Sequence, residues 1–405
     1  MHLIVLENHV TTLRGGQELN LLEICTALSQ RGHRITLLYL KDGDLLERYQ
    51  SICDRVIKIS EYGFDWRRFT SVLKFLPSLL QLWRIPVSSD SIVFCNDYHF
   101  SVFGSLLSRC RNLPLVCYLQ LPPLYLNRQR RFGVRQVDRF IAVSHHTKQD
   151  WIDFGVSPDR IEVVHNGIDI HKFKPASDFQ AVRQQWGIAP TTQLISYIGR
   201  IDREKGLETL IHAIARLSSQ FDVKAFIAGK PLNHHANHQE SEAVGQQYQR
   251  SLEQLAAELG VSDRIEFVGH LADPVALYQA SDANVLPSIW NEPCSRGLFE
   301  SLACGVPKIA SRIGGSPEIL SHEFESMLFT PGDVEDLTRC LTQIMHWRTT
   351  NPTLEKRCRQ HIINHFSNEK MMNEIEQILL HTQPPAPSPQ RFSSPDSSIS
   401  LNSMQ

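Results

Sequence analysis

The chain has 405 residues, of which 42% are hydrophobic and 21% are charged, a balance typical of a soluble globular protein. Its 41 basic and 43 acidic residues give a formal net charge of −2, which argues against a generic nucleic-acid-binding protein because such proteins carry a basic excess. Nine cysteines without a CxxC spacing predict buried, reduced thiols in a cytoplasmic protein. The first residues indicate a β-strand rather than a signal peptide, and no apolar run is long enough to span a membrane.

Short apolar runs alternate along the chain with longer stretches of helical periodicity. The predicted strands are Leu3–Leu6, Ile35–Leu40, Ile92–Phe94, Leu115–Tyr118, Phe140–Val143, Ile161–Val164, Leu194–Ile198, Lys224–Ala228, Ile265–Val268, Ala283–Leu286 and Pro307–Ala310. The clearest helical stretches are Gln17–Gln30, Leu207–Leu217, Tyr248–Leu259 and Arg296–Cys304. Repeated strand–helix–strand order predicts parallel α/β sheets with right-handed crossovers.

The number of strands predicts two doubly wound, Rossmann-like domains rather than one sheet. Residues 171–192 contain two prolines and no strand-like run, so we place the domains at 1–170 and 171–350. Helices over 351–382 follow, and we expect the last of them to pack back on the N-terminal domain. Five prolines and seven serines in residues 383–405 predict a disordered tail. In such folds ligands bind at the carboxyl ends of the parallel strands.

Two glycine-containing segments follow predicted strands and suit phosphate groups. Gly15-Gly16 precedes a helix whose free N–H groups attract anions, although a glycine pair is as often only a tight turn. The segment 199–206 supplies Arg200 as a planar fork of donors and Lys205 as a point charge, which suits a diphosphate. Taken alone, this second segment is better interpreted as a solvated charged loop.

The segment 287–307 places two carboxylates around a predicted helix start. Glu292 lies on the loop after a strand, Pro293 or Ser295 begins the helix, and Glu300 lies on the helix itself. One glutamate could accept hydrogen bonds from sugar hydroxyls and the other from a ribose. A pair of exposed glutamates favoured by the helix dipole is an equally weighted alternative.

Two more glycine turns complete an ordered set of motifs. Gly314-Gly315-Ser316-Pro317-Glu318-Ile319 follows a strand, and Asn166-Gly167-Ile168-Asp169 ends the last strand of the first domain. Together, the segments over residues 1–380 resemble the family-4 retaining glycosyltransferases of GT-B fold. Glu292 and Glu300, with seven residues between them, match that family's E-x7-E motif.

The resemblance implies two Rossmann-like domains facing across a cleft that binds a nucleoside-diphosphate sugar. It implies that Arg200 and Lys205 bind the diphosphate and stabilise the leaving group, while Glu292 contacts the sugar and Glu300 the ribose. The other donor-binding residues implied are Gly15, Gly16, Gly229, Val268, Leu271, Ser295, Arg296, Gly297 and Leu298.

The implied activity is transfer of the sugar to a glycan, lipid-linked or small-molecule acceptor with retention of configuration. No metal or other cofactor is expected, because cations and helix ends stabilise the leaving group. The alternatives are a related nucleotide-sugar epimerase and a non-catalytic sugar-nucleotide-binding protein.

The sequence departs from the family pattern on two sides of the expected site. Many relatives have Gly-Phe-Gly where this chain has Pro293-Cys294-Ser295, which predicts an unusual sugar pocket. Relatives commonly carry a histidine where this chain has Gln120, and a glutamine cannot become cationic. His99, close to Asp97 after the preceding strand, either compensates or is a satisfied loop histidine. The resemblance implies that Asp97, His99 and Gln120 lie on the acceptor side of the site.

Two basic segments suggest further partners. Arg128 and Arg131 belong to a cluster that suits a phosphate-bearing acceptor or lipid head group, or is simply a solvated helix face. The mixed basic and apolar stretch Arg67–Arg84 suits an anionic membrane surface, although packing on the sheet is the preferred interpretation. The expected localisation is therefore cytoplasmic, with peripheral binding to the inner face of the membrane as an alternative. His234, His235 and His238 are expected to form a polar loop rather than a metal site.

Overall fold

The computed structural model describes residues 1–12, 15–64, 69–124, 126–232 and 238–382. Several sequence predictions concern positions outside these ranges and remain predictions. These positions are Arg67, Arg68, His234, His235 and the tail 383–405, together with the side chain of His238.

The chain forms two compact units. Unit 1 comprises Met1–His165 and the described residues from Met372 onward, and unit 2 comprises Asn166–Met371. The first crossing between units therefore lies five residues before the boundary at 170 that we placed from the sequence. The chain returns to unit 1 within its last described helix.

Unit 1 is built on a seven-stranded, fully parallel sheet in the order β3-β2-β1-β4-β5-β6-β7. Its strands are β1 (His2–His9), β2 (Arg34–Lys41), β3 (Arg55–Lys58), β4 (Ser91–Cys95), β5 (Leu115–Leu119), β6 (Arg139–Ala142) and β7 (Ile161–Val163). The chain adds β2 and β3 on one side of β1 and then adds β4 to β7 on its other side, so the switch point lies between β1 and β4. This switch point is where a doubly wound fold opens a crevice at the carboxyl ends of its strands.

The helices of unit 1 connect these strands. They are α1 (Gly16–Gln30), α2 (Leu46–Ile52), α3 (Phe69–Gln81), α4 (Ser101–Arg111), α5 (Arg128–Arg135) and α6 (His145–Asp153), with the later α16 (Asn368–His381). Glu376 on α16 lies 2.5 Å from Arg31 Nη1 and 2.5 Å from His33 Nε2. These contacts attach α16 to the residues just before β2.

Unit 2 is built on a six-stranded, fully parallel sheet in the order β10-β9-β8-β11-β12-β13. Its strands are β8 (Gln193–Ile198), β9 (Val223–Ala228), β10 (Ile265–Gly269), β11 (Ala283–Leu286), β12 (Lys308–Ser311) and β13 (Leu328–Phe329). The switch point of this sheet lies between β8 and β11, where the two strands pair directly.

The helices of unit 2 cover both faces of its sheet. They are α7 (Phe179–Gln185), α8 (Leu207–Leu217), α9 (His238–Glu258), α10 (Val275–Ala280), α11 (Arg296–Ala303), α12 (Ser316–Ile319), α13 (Val334–Ile344), α14 (Trp347–Thr350) and α15 (Thr353–His365). Apolar residues of β8, β9 and β11 pack with those of α8 and α11 in one continuous core. The central strands are buried on both faces, which explains their short, continuously apolar sequences.

Within the described ranges, all eleven predicted strands are present, and β3 and β13 are additional strands at sheet edges. Among the described residues, no helix is both long enough and apolar enough to cross a lipid bilayer.

Candidate active site

A buried ion pair connects the two strands at the switch point of unit 2. Lys205 ends the short 3-10 turn Arg203–Lys205 after β8, and Glu292 lies on the loop after β11. The Lys205 ammonium donates a hydrogen bond to Glu292 Oε1, and the Ser288 hydroxyl donates to the same oxygen over 2.9 Å. Both charged side chains are buried. The structure therefore places two predicted site residues together at the edge where a ligand is expected.

The environment of Glu292 keeps its carboxylate ionised. Burial by itself would raise the pKa, but the Lys205 charge and hydrogen bonds from Lys205 and Ser288 outweigh it, and the pKa lies below the usual value. An ionised carboxylate has lone pairs left over to accept hydrogen bonds from hydroxyl groups.

The backbone around Glu292 depends on a glycine at position 314. Gly315 N–H donates to Glu292 O over 2.8 Å, and Gly314 has a φ of 59°. A Cβ atom on Gly314 would lie 2.1 Å from Glu292 O, much closer than van der Waals contact. The Gly314-Gly315 turn is thus part of the support for Glu292.

Arg200 lies near the same edge and is held by an acidic partner. Its Nη1 lies 3.0 Å from Asp202 Oδ2 without the alignment of a hydrogen bond. Burial raises the pKa of Asp202, and the nearby Arg200 and Lys205 charges oppose that rise. Arg200 consequently has hydrogen-bonding capacity that its aspartate partner does not use.

The second glutamate of the motif lies on α11. Ser295 is the N-cap of this helix, but its side chain makes no capping hydrogen bond. Glu300 Oε2 accepts a hydrogen bond from the Tyr278 hydroxyl over 2.9 Å, and its Oε1 lies 3.5 Å from Arg296 Nε. The preceding loop is fixed by Asn166, whose Nδ2 donates to Cys294 O over 3.2 Å.

Three of the predicted donor-binding residues, Gly229, Val268 and Leu271, lie at or just after the ends of neighbouring strands. Gly229 N–H donates to Gly269 O over 2.8 Å, which joins the ends of β9 and β10. Val268 and Leu271 are partly buried against an apolar cluster that includes Phe226. The structure brings this set together within unit 2, beside the end of β8.

Lys308 is a charged residue of this region that the sequence analysis did not single out. It lies on β12, is completely buried, and donates a hydrogen bond to Asn284 Oδ1 on β11. Burial lowers its pKa to about 7, against the opposing attraction of Glu300 and then Glu292. A Cβ built on Gly297 would lie 3.4 Å from its ammonium nitrogen, so the amine lies directly under the start of α11. A lysine within the predicted strand Pro307–Ala310 was the available signal in the sequence.

Gly15 and Gly16 lie in unit 1, at the start of α1. Gly15 is the N-cap of the helix, and a Cβ atom at this position would have no neighbour within 4 Å. The N-terminus of α1 is thus without a side-chain cap, as an anion-binding helix start requires.

Asp97 and His99 form a local pair in unit 1. Asp97 Oδ1 accepts hydrogen bonds from the backbone N–H of His99 over 2.8 Å and lies 2.5 Å from its Nδ1. The histidine ring also stacks on Tyr98, with ring centroids 4.1 Å apart. These contacts fit a histidine whose orientation is fixed by its own loop.

Gln120 is a buried member of a polar network at the switch point of unit 1. Its Nε2 donates to Asn96 Oδ1 over 2.8 Å, and its Oε1 accepts from Asn20 Nδ2 over 3.1 Å. Asn96 in turn donates to Glu7 Oε2 over 2.5 Å. Burial and then the charge of Glu18 raise the pKa of Glu7 to about 8. Both ends of the Gln120 amide are therefore used inside the protein.

Arg128 and Arg131 are exposed on α5 in unit 1. Arg131 donates from Nε to Leu126 O over 3.3 Å, and its guanidinium carbon lies 5.2 Å from the centroid of the Phe154 ring. Among the described residues, no group of three or more His, Cys, Asp or Glu side chains is arranged to hold a metal ion.

Both units are Rossmann-like domains built on parallel sheets, and unit 2 has a buried Lys–Glu pair at its switch point. The protein therefore belongs to the class of α/β proteins with two Rossmann-like domains. Residues 178–364 match the family model described as glycosyl transferases group 1, and residues 14–172 match the model of glycosyltransferase family 4. The chain belongs to the family-4 glycosyltransferases, and its fold class is GT-B, as predicted.

Relatives of known sequence align with part of the chain. N-acetyl-α-D-glucosaminyl L-malate synthase of Bacillus anthracis is 27% identical over 254 residues, which are 62% of this chain and 62% of that protein. A D-inositol 3-phosphate glycosyltransferase of Mycolicibacterium gilvum is 32% identical over 225 residues, 51% of this chain and 47% of that protein. The aligned part thus spans 62% of the first relative and 47% of the second.

Solved structures share the fold over nearly the whole chain. Anabaena HepE in complex with UDP has a TM-score of 0.77 at 23% identity, covering 94% of this chain and 99% of that one. Sucrose-phosphate synthase from Thermosynechococcus elongatus has a TM-score of 0.74 at 22% identity, covering 93% and 98%.

Proposed function

We propose that this protein transfers a sugar from a nucleoside-diphosphate sugar to an acceptor hydroxyl with retention of anomeric configuration. The observation that carries the proposal is the buried Lys205–Glu292 pair at the switch point of unit 2, beside the uncapped start of α11. Family membership and the complexes of Anabaena HepE with UDP and UDP-glucose support it.

The cations of unit 2 suit the diphosphate. A lysine ammonium has three N–H donors, so Lys205 can hold Glu292 and a phosphate oxygen together. Arg200 adds a guanidinium near the same edge, and the N–H groups at the start of α11 add a partial positive charge. These groups would stabilise the charge that develops on the leaving diphosphate, which is the role that a divalent cation has in other transferases. We therefore propose a reaction without a metal or other cofactor.

The carboxylates suit the hydroxyl groups of the donor. Glu292 is ionised, and its Oε2 is available to accept hydrogen bonds from sugar hydroxyls, since Lys205 and Ser288 both bind Oε1. Glu300 is held by Tyr278 and Arg296, which gives it a fixed position from which to accept hydrogen bonds from a ribose.

In the proposed reaction the bond between the anomeric carbon and the phosphate oxygen breaks while a bond to the acceptor oxygen forms on the same face. The acceptor proton passes to the departing phosphate oxygen, and the nucleoside diphosphate leaves. No side chain has to carry that proton, which agrees with the use of both ends of the Gln120 amide inside the protein.

The experiment starts from a thermal-shift screen of nucleotide sugars, since a donor at about 100 times its Kd stabilises the native state by about 2.7 kcal/mol. The selected donor is then incubated with candidate acceptors, and NMR reports the anomeric configuration of the product. We expect donor consumption only when an acceptor is present, and a product with the configuration of the donor.

Arg200→Gln provides the test of the site. We expect it to lower kcat/KM for transfer by about 100-fold or more, because it removes a charge that binds the leaving group. Arg203→Gln is the matched control: Arg203 belongs to the same loop but is exposed and stacks over Tyr248. Interconversion of the donor without acceptor would indicate an epimerase, and binding without turnover of any donor would indicate a non-catalytic protein. Either result would overturn the proposal.

A further inference from the structure

One side of α3 presents a row of large apolar side chains to solvent. We call this row the α3 face; it consists of Phe69, Leu73, Leu76 and Leu80, with Trp83 just beyond the helix. Their exposed fractions run from 50% for Leu73 to 75% for Phe69. The spacing of three and four residues places them along one stripe of the helix surface. Isolated exposed apolar residues are ordinary, but a continuous row of five marks an interaction surface.

The opposite side of the helix fixes this orientation. Phe75 is buried and stacks on Phe64, with ring centroids 5.2 Å apart. Ser78 is also buried, and its hydroxyl accepts hydrogen bonds from the backbone N–H groups of Ser60 and Glu61 over 3.2 and 2.9 Å. Because one side of α3 is already bound to the core of unit 1, the α3 face cannot turn inward to bury its own apolar surface.

The segment that carries the α3 face is basic, and one further arginine contacts it. Lys74 and Arg84 are exposed beside it. The guanidinium carbon of Arg111 lies 5.7 Å from the centroid of the Trp83 ring, and Arg111 Nη1 donates to Leu82 O over 3.2 Å. Residues 69–84 contain two basic residues, Lys74 and Arg84, and no aspartate or glutamate. The row is therefore both apolar and cationic, with no acidic residue within its own segment.

We propose that the α3 face docks on the surface of an anionic lipid bilayer, with its apolar side chains entering the boundary between head groups and acyl chains. Helices that lie in this boundary combine an apolar stripe with flanking lysines and arginines. Tryptophan and arginine both place an apolar body in the boundary and a polar end at the head groups, which fits the Trp83–Arg111 contact.

A second copy of the chain is a poorer occupant. A two-fold symmetric contact would place the same patch on both copies and bring two sets of the cations Lys74, Arg84 and Arg111 into one interface. Like charges facing one another in an interface are unfavourable. An anionic bilayer instead supplies both an apolar layer and the opposite charge.

The experiment is co-sedimentation of the full-length protein with vesicles. One set contains phosphatidylcholine alone, and the other contains about one third phosphatidylglycerol, each at low and high salt. We expect the protein to bind the anionic vesicles about tenfold more tightly than the neutral ones, and high salt to reduce this binding.

Three variants locate the contact. Leu76→Ser with Leu80→Ser should lower binding to anionic vesicles by about tenfold or more, because two inserting side chains are lost. Lys74→Glu should lower it by several-fold. Leu380→Ser is the matched control, because Leu380 is 54% exposed on a different helix, α16, and should leave binding unchanged. Circular dichroism and thermal melting verify that each variant is folded.

The readouts do not involve sugar transfer, so the test is independent of the proposed function. Equal binding of the wild type and the double leucine variant to anionic vesicles would overturn the proposal. So would absence of wild-type binding to either kind of vesicle. Self-association of the wild type that the double variant abolishes, measured by analytical ultracentrifugation without vesicles, would assign the α3 face to a dimer instead.

Discussion

The support of Glu292 by a glycine gives a sharp prediction, because the chain contains its own control. Gly314→Ala places a Cβ atom 2.1 Å from Glu292 O and 2.7 Å from Glu292 N, at a position where φ is 59°. Gly332→Ala likewise puts an alanine where φ is positive, at 75°, but its Cβ atom would meet nothing within 4 Å. Both variants lie in unit 2, on turns that follow strands.

The loss of stability in each variant has up to two parts, the backbone conformation and the steric overlap. A left-handed backbone conformation costs an alanine about 1–2 kcal/mol, which both variants incur. Overpacking costs typically about 1–3 kcal/mol more, and only Gly314→Ala incurs it, since the contacting atoms are backbone and cannot rotate away. For a unit of this size, that difference corresponds to a melting temperature roughly 2–12 °C lower for Gly314→Ala than for Gly332→Ala.

The assay is thermal unfolding of both variants, followed by titration with the nucleotide sugar that stabilises the wild type most. Gly314→Ala should also weaken binding of that sugar nucleotide, since the backbone of Glu292 must move, while Gly332→Ala should bind it like the wild type. If the two variants melt together and bind alike, the Gly314-Gly315 turn does not support the site.

Three further predictions concern buried groups and a second tight turn. Lys308→Met should stabilise unit 2 by roughly 2–4 kcal/mol near pH 6. The wild-type amine has a pKa of about 7 in the folded protein and 10.5 in the unfolded chain, so the wild type loses stability as the pH falls from 10.5 to 7. Near pH 10 the variant should be slightly less stable than the wild type, and parallel pH profiles of the two in thermal melts would contradict this prediction. The wild type should lose unit 1 stability as the pH rises from about 5 to 8, because the pKa of Glu7 is about 8 in the folded protein and lower in the unfolded chain. Glu7→Gln should remove most of this pH dependence in thermal melts. A wild type with no such loss would refute the burial argument. Gly229→Ala should destabilise unit 2 far more than Gly269→Ala in denaturant unfolding. A Cβ atom on residue 229 would lie 1.7 Å from a backbone oxygen, while a Cβ atom on residue 269 would meet nothing within 4 Å. Equal destabilisation by the two substitutions would contradict this difference in contacts.

Most of the fold could be predicted from the sequence, because central parallel strands are buried on both faces and their apolar runs are unmistakable. The strands that were missed lie at or near sheet edges. β3 reads Arg55-Val56-Ile57-Lys58 and has only two apolar residues between charges, while β13 has two residues in all. Such segments become strands because a neighbouring strand offers hydrogen bonds, which is tertiary information.

The candidate site was predictable in its residue types but not in its pairings. The motif order identified Lys205 and Glu292, yet nothing in the sequence shows that the two side chains bind each other across 87 positions. The partners of Gln120 were not predictable either. Its place after β5 suggested the acceptor side, whereas its partners Asn20 and Asn96 come from distant parts of the chain. Lys308 escaped attention because its significance depends on burial under α11.

The central claim is that Glu292 in the buried pair recognises the sugar of the donor. It is tested most directly by calorimetric titration of the wild type and Glu292→Gln with the stabilising nucleotide sugar and with its nucleoside diphosphate alone. The amide removes the charge but leaves an oxygen that can accept from Lys205 and Ser288. The variant should bind the nucleoside diphosphate within a few-fold of the wild type but lose about tenfold or more of its affinity for the nucleotide sugar. Unchanged affinity of the variant for the nucleotide sugar would contradict the account.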